Sequence, residues 1–498
     1  MPKPSIIRGS DHMFSTIYEG NGGGQRIGKF VPFTDNGTIA KSCIFNDDDD
    51  PSLLRNLGSN GNRSKFTIST WLKRNNLQGS GFMSVITGGL TSSNDGFFFN
   101  SSQQAYLYFF GAEALVTNRT FEDTSKFYHF VVRVDSSQST ADDRVRFYVD
   151  GDQITSFATR NNPSQDATTG YFLNNSQNIR LGRHSSSTMY EGDYYLAETI
   201  LADGQSYGPD TFGITDTSTG RWIPKDVSSG ITYGTHGFRM HYANSAGQTI
   251  GDDLSGNGND MTVENLVASD ITTDSPTQNF PTFDINGKGS GATYTFSEGN
   301  LKVAHDYDSS GGRVSIPVSY ATSQGKLYVE LTLTATAAGD GEPRSCPGIY
   351  DIIEPAYPHD YIGSSATGLG GAGVYTQNGY LYVNGSGYNL SLGAFAIGDV
   401  MQFALDFDNG AMYVGKNGTF LISGDPTSGA SKTGAVWKWV GNGKRKFVFG
   451  TSDSSGTIST DTVNFGQKSF SHSIPTGYTT WQQDNLPDEG KGKPDLVW

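Results

Sequence analysis

An all-β protein of two β-sandwich modules in series is what this sequence predicts, on three observations. Apolar and polar residues alternate with period two in runs from about residue 65 to 470, and no stretch holds an amphipathic helical period for several turns. Asp-Gly and Asn-Gly pairs punctuate those runs where hairpins need positive φ. The composition, 64 glycines in 498 residues with 35% hydrophobic and 12% aromatic residues, favours short strands joined by tight turns.

The elements follow in chain order. In the ribbon Arg144 to Val149, Val145, Phe147 and Val149 share one face while Arg144, Arg146 and Tyr148 share the other, and Asp150-Gly151 turns the chain back. From Leu327 to Leu333 the inward set is Leu327, Val329, Leu331 and Leu333, with Tyr328, Glu330 and Thr332 outward. Met401, Phe403, Leu405 and Phe407 share a face opposite Gln402, Ala404 and Asp406; Asp408-Asn409-Gly410 then returns the chain into Ala411 to Gly415, and Asn417-Gly418 turns it again. Three antiparallel strands follow there from local chemistry alone. The stretch 274–291, DSPTQNFPTFDINGKGSG, has two prolines, several glycines and serines and no sustained alternation, so it marks the module boundary, placed near Asp284. No solenoid period, collagen tract or heptad repeat is present.

Length and charge bound the function. At 498 residues the chain exceeds one sandwich core, given domains of roughly 100 to 200 residues. A net charge of −15 and a pI near 4.9 argue against nucleic acid as a partner, since phosphate backbones call for clustered Lys and Arg. The start, MPKPSIIRGSDHMF, lacks the apolar core of a secretory signal, and no run reaches the roughly 18 apolar residues of a membrane span, so a cytosolic, non-inserting product is expected. Cys43 and Cys346 fall in different predicted modules and are expected as two unpaired thiols.

Several segments resemble known modules. From Ala40 to Gly213, FTISTWLKR at 66–74, FYHFVVRVD at 127–135, VRFYVDGDQI at 145–154, IRLGRH at 179–184 and YEGDYYLAETILADG at 190–204 resemble, in order, the laminin-G-like, concanavalin A-like jelly roll. From about Gly287 to Thr480 the chain resembles a SPRY-like sandwich, on GKLYVELTL at 325–333, GDVMQFALDFDNGAMYVGKNGTF at 398–420 and VNFGQKSF at 463–470. That family binds proteins or peptides through loops at one end of the sandwich and carries no catalytic residues. The region 223–280 resembles a segment recurring in structural proteins of marine tailed bacteriophages. Residues 14–33, FSTIYEGNGGGQRIGKFVPF, resemble an opening motif of phage fibre modules, which typically runs on to a phrase like the final PDLVW at 494–498. Here the phrase stands at the other end: either longer relatives continue past Trp498, or the tail packs as a terminal strand. These resemblances imply two tandem concanavalin A-like jelly-roll sandwiches, divided as an N-terminal extension over 1–39, a laminin-G-like module over 40–215, a connecting segment over 216–284, a SPRY-like module over 285–480 and a tail over 481–498.

Candidate sites are few. The run Asn46 to Asp50 sets four carboxylates side by side, so Asp47 and Asp49 are candidate calcium ligands, against a solvated loop, which the lack of regular ligand spacing favours. The loop Asp252 to Asp260 offers Asp253, Asn257 and Asp260 to the same cation, or an Asx-bonded turn without one. No cofactor is required. Some glycoside hydrolases share this architecture and use two carboxylates on one strand, and Glu191, Asp193 and Glu198 are the cluster that comes nearest to it; Glu198 lies an odd number of residues beyond Asp193 and faces oppositely unless a bulge intervenes. No catalytic residue is assigned. His129 and His184 stand apart from any nucleophile, and GNGGGQ at 20–25 lacks the Lys-Ser or Lys-Thr of a phosphate loop. Tyr357, Tyr361, Tyr375 and Tyr380, on predicted SPRY-side loops, are candidates for stacking on sugar or peptide, against ordinary packing.

The reading is a non-enzymatic virion structural protein, a tail fibre or spike-like appendage whose loops meet host surface glycans or other virion proteins. A capsid decoration or head-fibre protein is the alternative, and a polysaccharide-degrading enzyme the remote one. The resemblance implies a homo-oligomer, plausibly a trimer, on the particle surface.

Overall fold

Alternation along the chain resolves into paired antiparallel sheets in the computed structural model, which describes residues 38–486 apart from 78–79, 91–94, 185–190, 218–219, 243–246, 288–291, 308–314, 352–360, 365–369, 442, 444 and 453–457. The phage-like ends at 14–33 and 494–498, the glycine run at 20–25 and Tyr357 lie outside the described residues. Two units divide the chain, one ending at Gln278 and the next beginning at Asn279.

In the first unit one sheet runs in the order Asp152–Gln153, Val145–Val149, Tyr128–Asp135, Lys65–Arg74, Tyr194–Asp203, Ser42–Phe45, Ile271–Thr272, with Phe238–Met240 also on Tyr194–Asp203. The facing sheet runs Phe157–Arg160, Ala112–Thr120, Gln104–Phe109, Asp95–Asn100, Phe82–Gly88, Asn178–Leu181, Ser52–Asn56, Thr262–Glu264. Period-two alternation sends Phe66, Phe130 and Phe147 from the first sheet and Phe97 and Phe99 from the second into one core. Phe97 meets Phe147, and Phe99 meets Phe130, each with ring centroids 5.6 Å apart. Each such buried ring stabilises the sandwich by about 1.5–3 kcal/mol. The expected hairpin forms: Asp150 at φ 52° and Gly151 at φ 87° close Val145–Val149 onto Asp152–Gln153.

The segment expected as a connector, 216–284, departs from that description. Phe238–Met240, Thr262–Glu264 and Ile271–Thr272 are strands of the first unit's own sheets. Ahead of them, Phe212 and Val227, with Tyr207, Ile231 and Tyr233, cover the outward face of the first sheet over Val131, Tyr148 and Ile200. The reason is hydrophobic: that face is itself apolar and needs a third layer. The segment's end is pinned by a fully buried ion pair, Lys73 Nζ to Asp274 Oδ2 at 2.9 Å. The chain therefore enters the next unit ahead of Asp284.

In the second unit one sheet runs Ala292–Ser297, Lys302–Tyr307, Ser459–Asn464, Lys326–Thr336, Val400–Asp406, Ala411–Lys416, Thr419–Phe420. Trp437–Lys438 pairs with Ala411–Lys416, and Thr479–Thr480 runs parallel to Lys326–Thr336. The other sheet runs Ser315–Thr322, Phe447–Ser452, Gly348–Asp351, Gly371–Tyr375, Tyr380–Val383, Ser386–Tyr388. Phe403 of the one meets Phe449 of the other at 5.1 Å. Trp481, expected at the head of a tail, is fully buried between Phe407 and Phe465, so the core extends past residue 480. Helix among the described residues amounts to short 3₁₀ turns. Cys43 and Cys346 are both buried, and they form no disulfide with each other.

Candidate ligand-binding site

Three of the tyrosines singled out by sequence come together on the second unit. Their setting follows from register in the sheet containing Phe447–Ser452. Phe449 stands opposite Ile349, Ile349 opposite Ala372 and Ala372 opposite Val383, which is an inward rank because Phe449 is in the core. The next rank, facing outward, is Gly450, Gly348, Gly373, Tyr382, Gly387. Pro317 on Ser315–Thr322 stands opposite Gly450 at its near end, and across the four strands beyond that, Tyr382 is the one side chain among glycines. Glycine is needed at 373, where a Cβ would sit 2.6 Å from the Ile362 carbonyl oxygen and 2.7 Å from Cys346 Sγ.

Tyr375 and Tyr380 lie opposite each other on the same outward face, two ranks on, past Val374 and Leu381. They sit at strand ends rather than in loops, because Asn378 and Gly379 close a tight turn between them: Asn378 Oδ1 accepts from the Tyr380 amide, and Gly379 has φ 69°. Tyr361 presents its ring edge-on to Tyr382 at 5.0 Å and Tyr375 does so at 6.2 Å. Tyr361, Tyr375, Tyr380 and Tyr382 are half-buried, and Tyr388 on the edge strand is 50% exposed. Tyr382 and Tyr388 were missed in sequence; the alternation YLY at 380–382 was the available signal.

Polar groups rim this platform. Tyr375 Oη donates to Gln377 Oε1 at 2.8 Å, and Gln377 Nε2 donates to Glu342 Oε2 at 3.0 Å. A hydrogen bond with Tyr375 holds the Arg344 guanidinium above its ordinary range, and Arg344 also pairs with Asp340. Aromatic faces with fixed donors and acceptors at their edge suit a ligand with apolar faces and hydroxyl edges.

The other expected residues behave differently. Asp253 is saturated: Oδ1 accepts from the Arg239 and Ser255 amides, and Oδ2 from Ser255 Oγ and the Asn259 amide. Asp260 Oδ1 accepts from the Asp253 amide, and Asn257 Nδ2 donates to the carbonyls of Gly234 and Gly237. The loop is thus an Asx-bonded turn, and its carboxylate is spoken for by backbone donors rather than held open for calcium. Asp49 is tied to Asn46, whose Nδ2 donates to its Oδ2 at 3.1 Å. Asp47, by contrast, shares its surroundings with Glu191 and Asp193. Burial, reinforced by Asp48, raises the Asp47 carboxyl; burial and then Asp47 raise Asp193; burial and a bond with Asp50 push Glu191 up to about 8.

Glu198 reverses an expectation. A bulge between Leu196 and Glu198 resets the alternation, so Glu198 pairs opposite Trp71 and shares the outward face with Asp193 after all. It is buried and receives Arg239 Nε at 2.8 Å and Nη2 at 2.7 Å, a structural ion pair beneath the covering segment. His129 is fully buried: Nδ1 accepts from Trp222 Nε1 at 2.9 Å, so Nε2 keeps the proton and donates to Ser69 Oγ at 2.8 Å. His184 is buried too.

Residues 46–194 match a family model described as the Concanavalin A-like lectin/glucanases superfamily. Among solved structures, the SPRY domain of human HERC1 is similar over 38% of this chain and 99% of that one, at 18% identity and a TM-score of 0.28. A Trypanosoma rangeli sialidase in complex with 2,3-difluorosialic acid is similar over 29% of this chain and 22% of its own, at 18% identity and 0.23. The native heptameric SAP-like pentraxin of Limulus polyphemus is similar over 34% and 79%, at 9% identity and 0.26. No curated protein matches the sequence. The first unit therefore has the concanavalin A-like fold, which lectins and glycosidases share, and the fold alone does not choose between them.

Proposed function

We propose that the protein is a non-enzymatic binding protein of a bacteriophage particle surface, a tail-fibre or spike-like appendage that holds host surface glycan on the tyrosine face of its second unit. The observation that carries the binding reading is the outward rank in which Tyr382 stands alone between Gly373 and Gly387, with Tyr361 and Tyr375 edge-on to it. Sugar rings stack on such faces, while Gln377, Glu342 and Arg344 offer hydrogen bonds to hydroxyls. The particle assignment rests on the resemblance of 223–280 to phage structural proteins, and homo-oligomeric, plausibly trimeric, assembly comes from the same source. The non-enzymatic reading is supported by Glu198, whose carboxylate is engaged by Arg239 instead of facing a cleft.

The test is binding of the intact protein to purified host envelope glycans, with Tyr382→Ala beside the parent. Loss of one stacking partner should weaken affinity by about tenfold, from about 1.4 kcal/mol. Equal binding by the variant refutes the tyrosine face as the site, and reducing-sugar release that disappears in Glu191→Gln establishes the hydrolase instead. Antibody labelling of intact particles on the capsid rather than the tail establishes the decoration alternative.

A further inference from the structure

We propose that Lys73 and Asp274 condense, after folding, into a covalent side-chain amide that staples the end of the first unit's covering segment to a central strand of its first sheet. This does not rest on the glycan reading. Lys73 belongs to Lys65–Arg74, which lies between Tyr128–Asp135 and Tyr194–Asp203, and its Nζ stands 2.9 Å from Oδ2 of Asp274, 201 positions along the chain. Neither side chain is exposed at all. The rings of Tyr195 and Phe127 flank the ammonium, with centroids 5.4 and 5.8 Å from Nζ. Asp274 is also held by its backbone: its carbonyl accepts from Ser42 Oγ, and its amide donates to Thr272 Oγ1 at 3.2 Å. In their own ion pairs Lys65, Lys326 and Lys416 keep 25% or more of the side chain exposed, so water competes there and is shut out at Lys73.

A third carboxyl group completes the set. Asp123 Oδ1 accepts from the Ser125 amide at 2.9 Å and from Ser125 Oγ, while Oδ2 is buried with no hydrogen-bond donor. It lies within electrostatic reach of Lys73. Burial lowers the Lys73 ammonium and raises the Asp123 carboxyl, so each is moved towards the neutral form that proton transfer needs.

The reaction balances without a co-reactant. The Nζ lone pair forms the bond to Asp274 Cγ, and the Cγ–Oδ bond breaks with its electrons on the oxygen. Two protons leave Nζ and depart with that oxygen as water, and Asp123 takes a proton from Nζ and returns it to the leaving oxygen. Nothing is oxidised or reduced. In bulk water the separate ions are favoured; here two charges are held without solvent, a neutral amide replaces them, and contact supplies the effective concentration. The ion pair is the reactant. Its charged groups are not themselves reactive, so the freshly folded chain carries the pair and closes it slowly. Once closed, tension across the first unit passes through the staple and bypasses the chain between Lys73 and Asp274.

The experiment uses the full-length protein, sampled over days after purification by intact mass and by peptide mapping. The parent should lose the mass of one water, and digestion should yield one branched peptide joining the segments that carry Lys73 and Asp274. Lys73→Arg keeps the positive charge without a nucleophilic amine and should hold its full mass. Asp123→Asn leaves both reacting groups in place and should close about a hundredfold more slowly. A parent that keeps its full mass throughout, or a water loss that persists in Lys73→Arg or maps to another pair, would overturn the proposal. Closure of Asp123→Asn at the parental rate would overturn the part given to Asp123. The parent's own mass decides the matter even where a variant fails to fold.

Discussion

Acidification should loosen the covering layer of the first unit, and His129 sets the scale. Its ring stacks on Trp71 at 4.5 Å and on Trp222 at 6.0 Å, and both nitrogens are committed, Nδ1 as acceptor from Trp222 and Nε2 as donor to Ser69. A second proton would sit on Nδ1 facing the Trp222 N–H, in a site closed to water. Burial accordingly holds the imidazole down to about 3, against an ordinary 6.5. The unfolded chain takes up the proton as pH falls through 6.5, and the folded chain does not until about 3. Between those values the unfolded state binds more protons, so stability is lost as pH falls across that window. At pH 4 the loss from this group alone is about 3 kcal/mol. Hydrogen exchange of peptides spanning 128–135 and 209–224 at pH 7 and pH 4 reads it locally, corrected for intrinsic exchange. His129→Gln retains a donor and an acceptor but cannot protonate, so its protection should fall much less between the two conditions. An equal fall in parent and variant would refute the argument.

Three further outcomes follow from burial and register. Asp274→Asn leaves the Lys73 ammonium buried beside the Tyr195 ring with its counter-charge gone, and should cost about 3–5 kcal/mol in thermal unfolding, while Lys73→Met with Asp274→Leu recovers most of it. Gly213→Ala puts a Cβ 2.4 Å from the Trp222 ring and should destabilise by about 1–3 kcal/mol, with partial recovery in Gly213→Ala/Trp222→Leu; equal stability of parent and single variant would show that the ring has room to move. Gly373→Ala forces Ile362 off the sheet, and should lower glycan affinity through Tyr361 while leaving Tyr382 in place, measured on the same glycans as Tyr382→Ala.

What was legible in the sequence was local. The ribbon at 145–153 and the strands Val400–Asp406 and Ala411–Lys416 needed only alternation and an Asp-Gly or Asn-Gly turn, and both formed; Val145, Phe147, Val149 and Phe403 face inward as expected, while the opposite face at Gln402, Ala404 and Asp406 is buried as well, under a cover that alternation did not reveal. The cover of the first unit was not legible, because Phe212 and Val227 sit in irregular chain whose apolar residues are spaced by the surface beneath them and not by a period of their own. The bulge before Glu198 was equally hidden: one extra residue in YLAETIL reverses every side chain after it and leaves no compositional trace. The tyrosines were half visible. Their residue type marked Tyr361, Tyr375 and Tyr380, but the value of Tyr382 comes from glycines on other strands that register alone brings beside it.

In both units the chain returns over an apolar outward sheet face, over Val131, Tyr148 and Ile200 in the first and over Tyr328, Ala404 and Tyr413 in the second, and the second unit's sheet with Phe447–Ser452 departs from that pattern. Where the first unit's outward residues are apolar or aromatic, as at Trp71, Val131, Tyr148 and Ile200, its own chain returns to cover them. The second unit's outward rank at Gly450, Gly348 and Gly373 has no side chains for a layer to pack upon, and the short passage at Ile362 seats directly on the backbone. Beyond that passage the tyrosines remain half-exposed at the sheet edge, with hydrogen-bonding groups beside them. A face meant only for burial would continue the apolar covering, and a face meant only for solvent would not spend several aromatic rings on one edge. Rings left in that intermediate state are consistent with the proposed function, in which the partner brings apolar area and hydroxyls together.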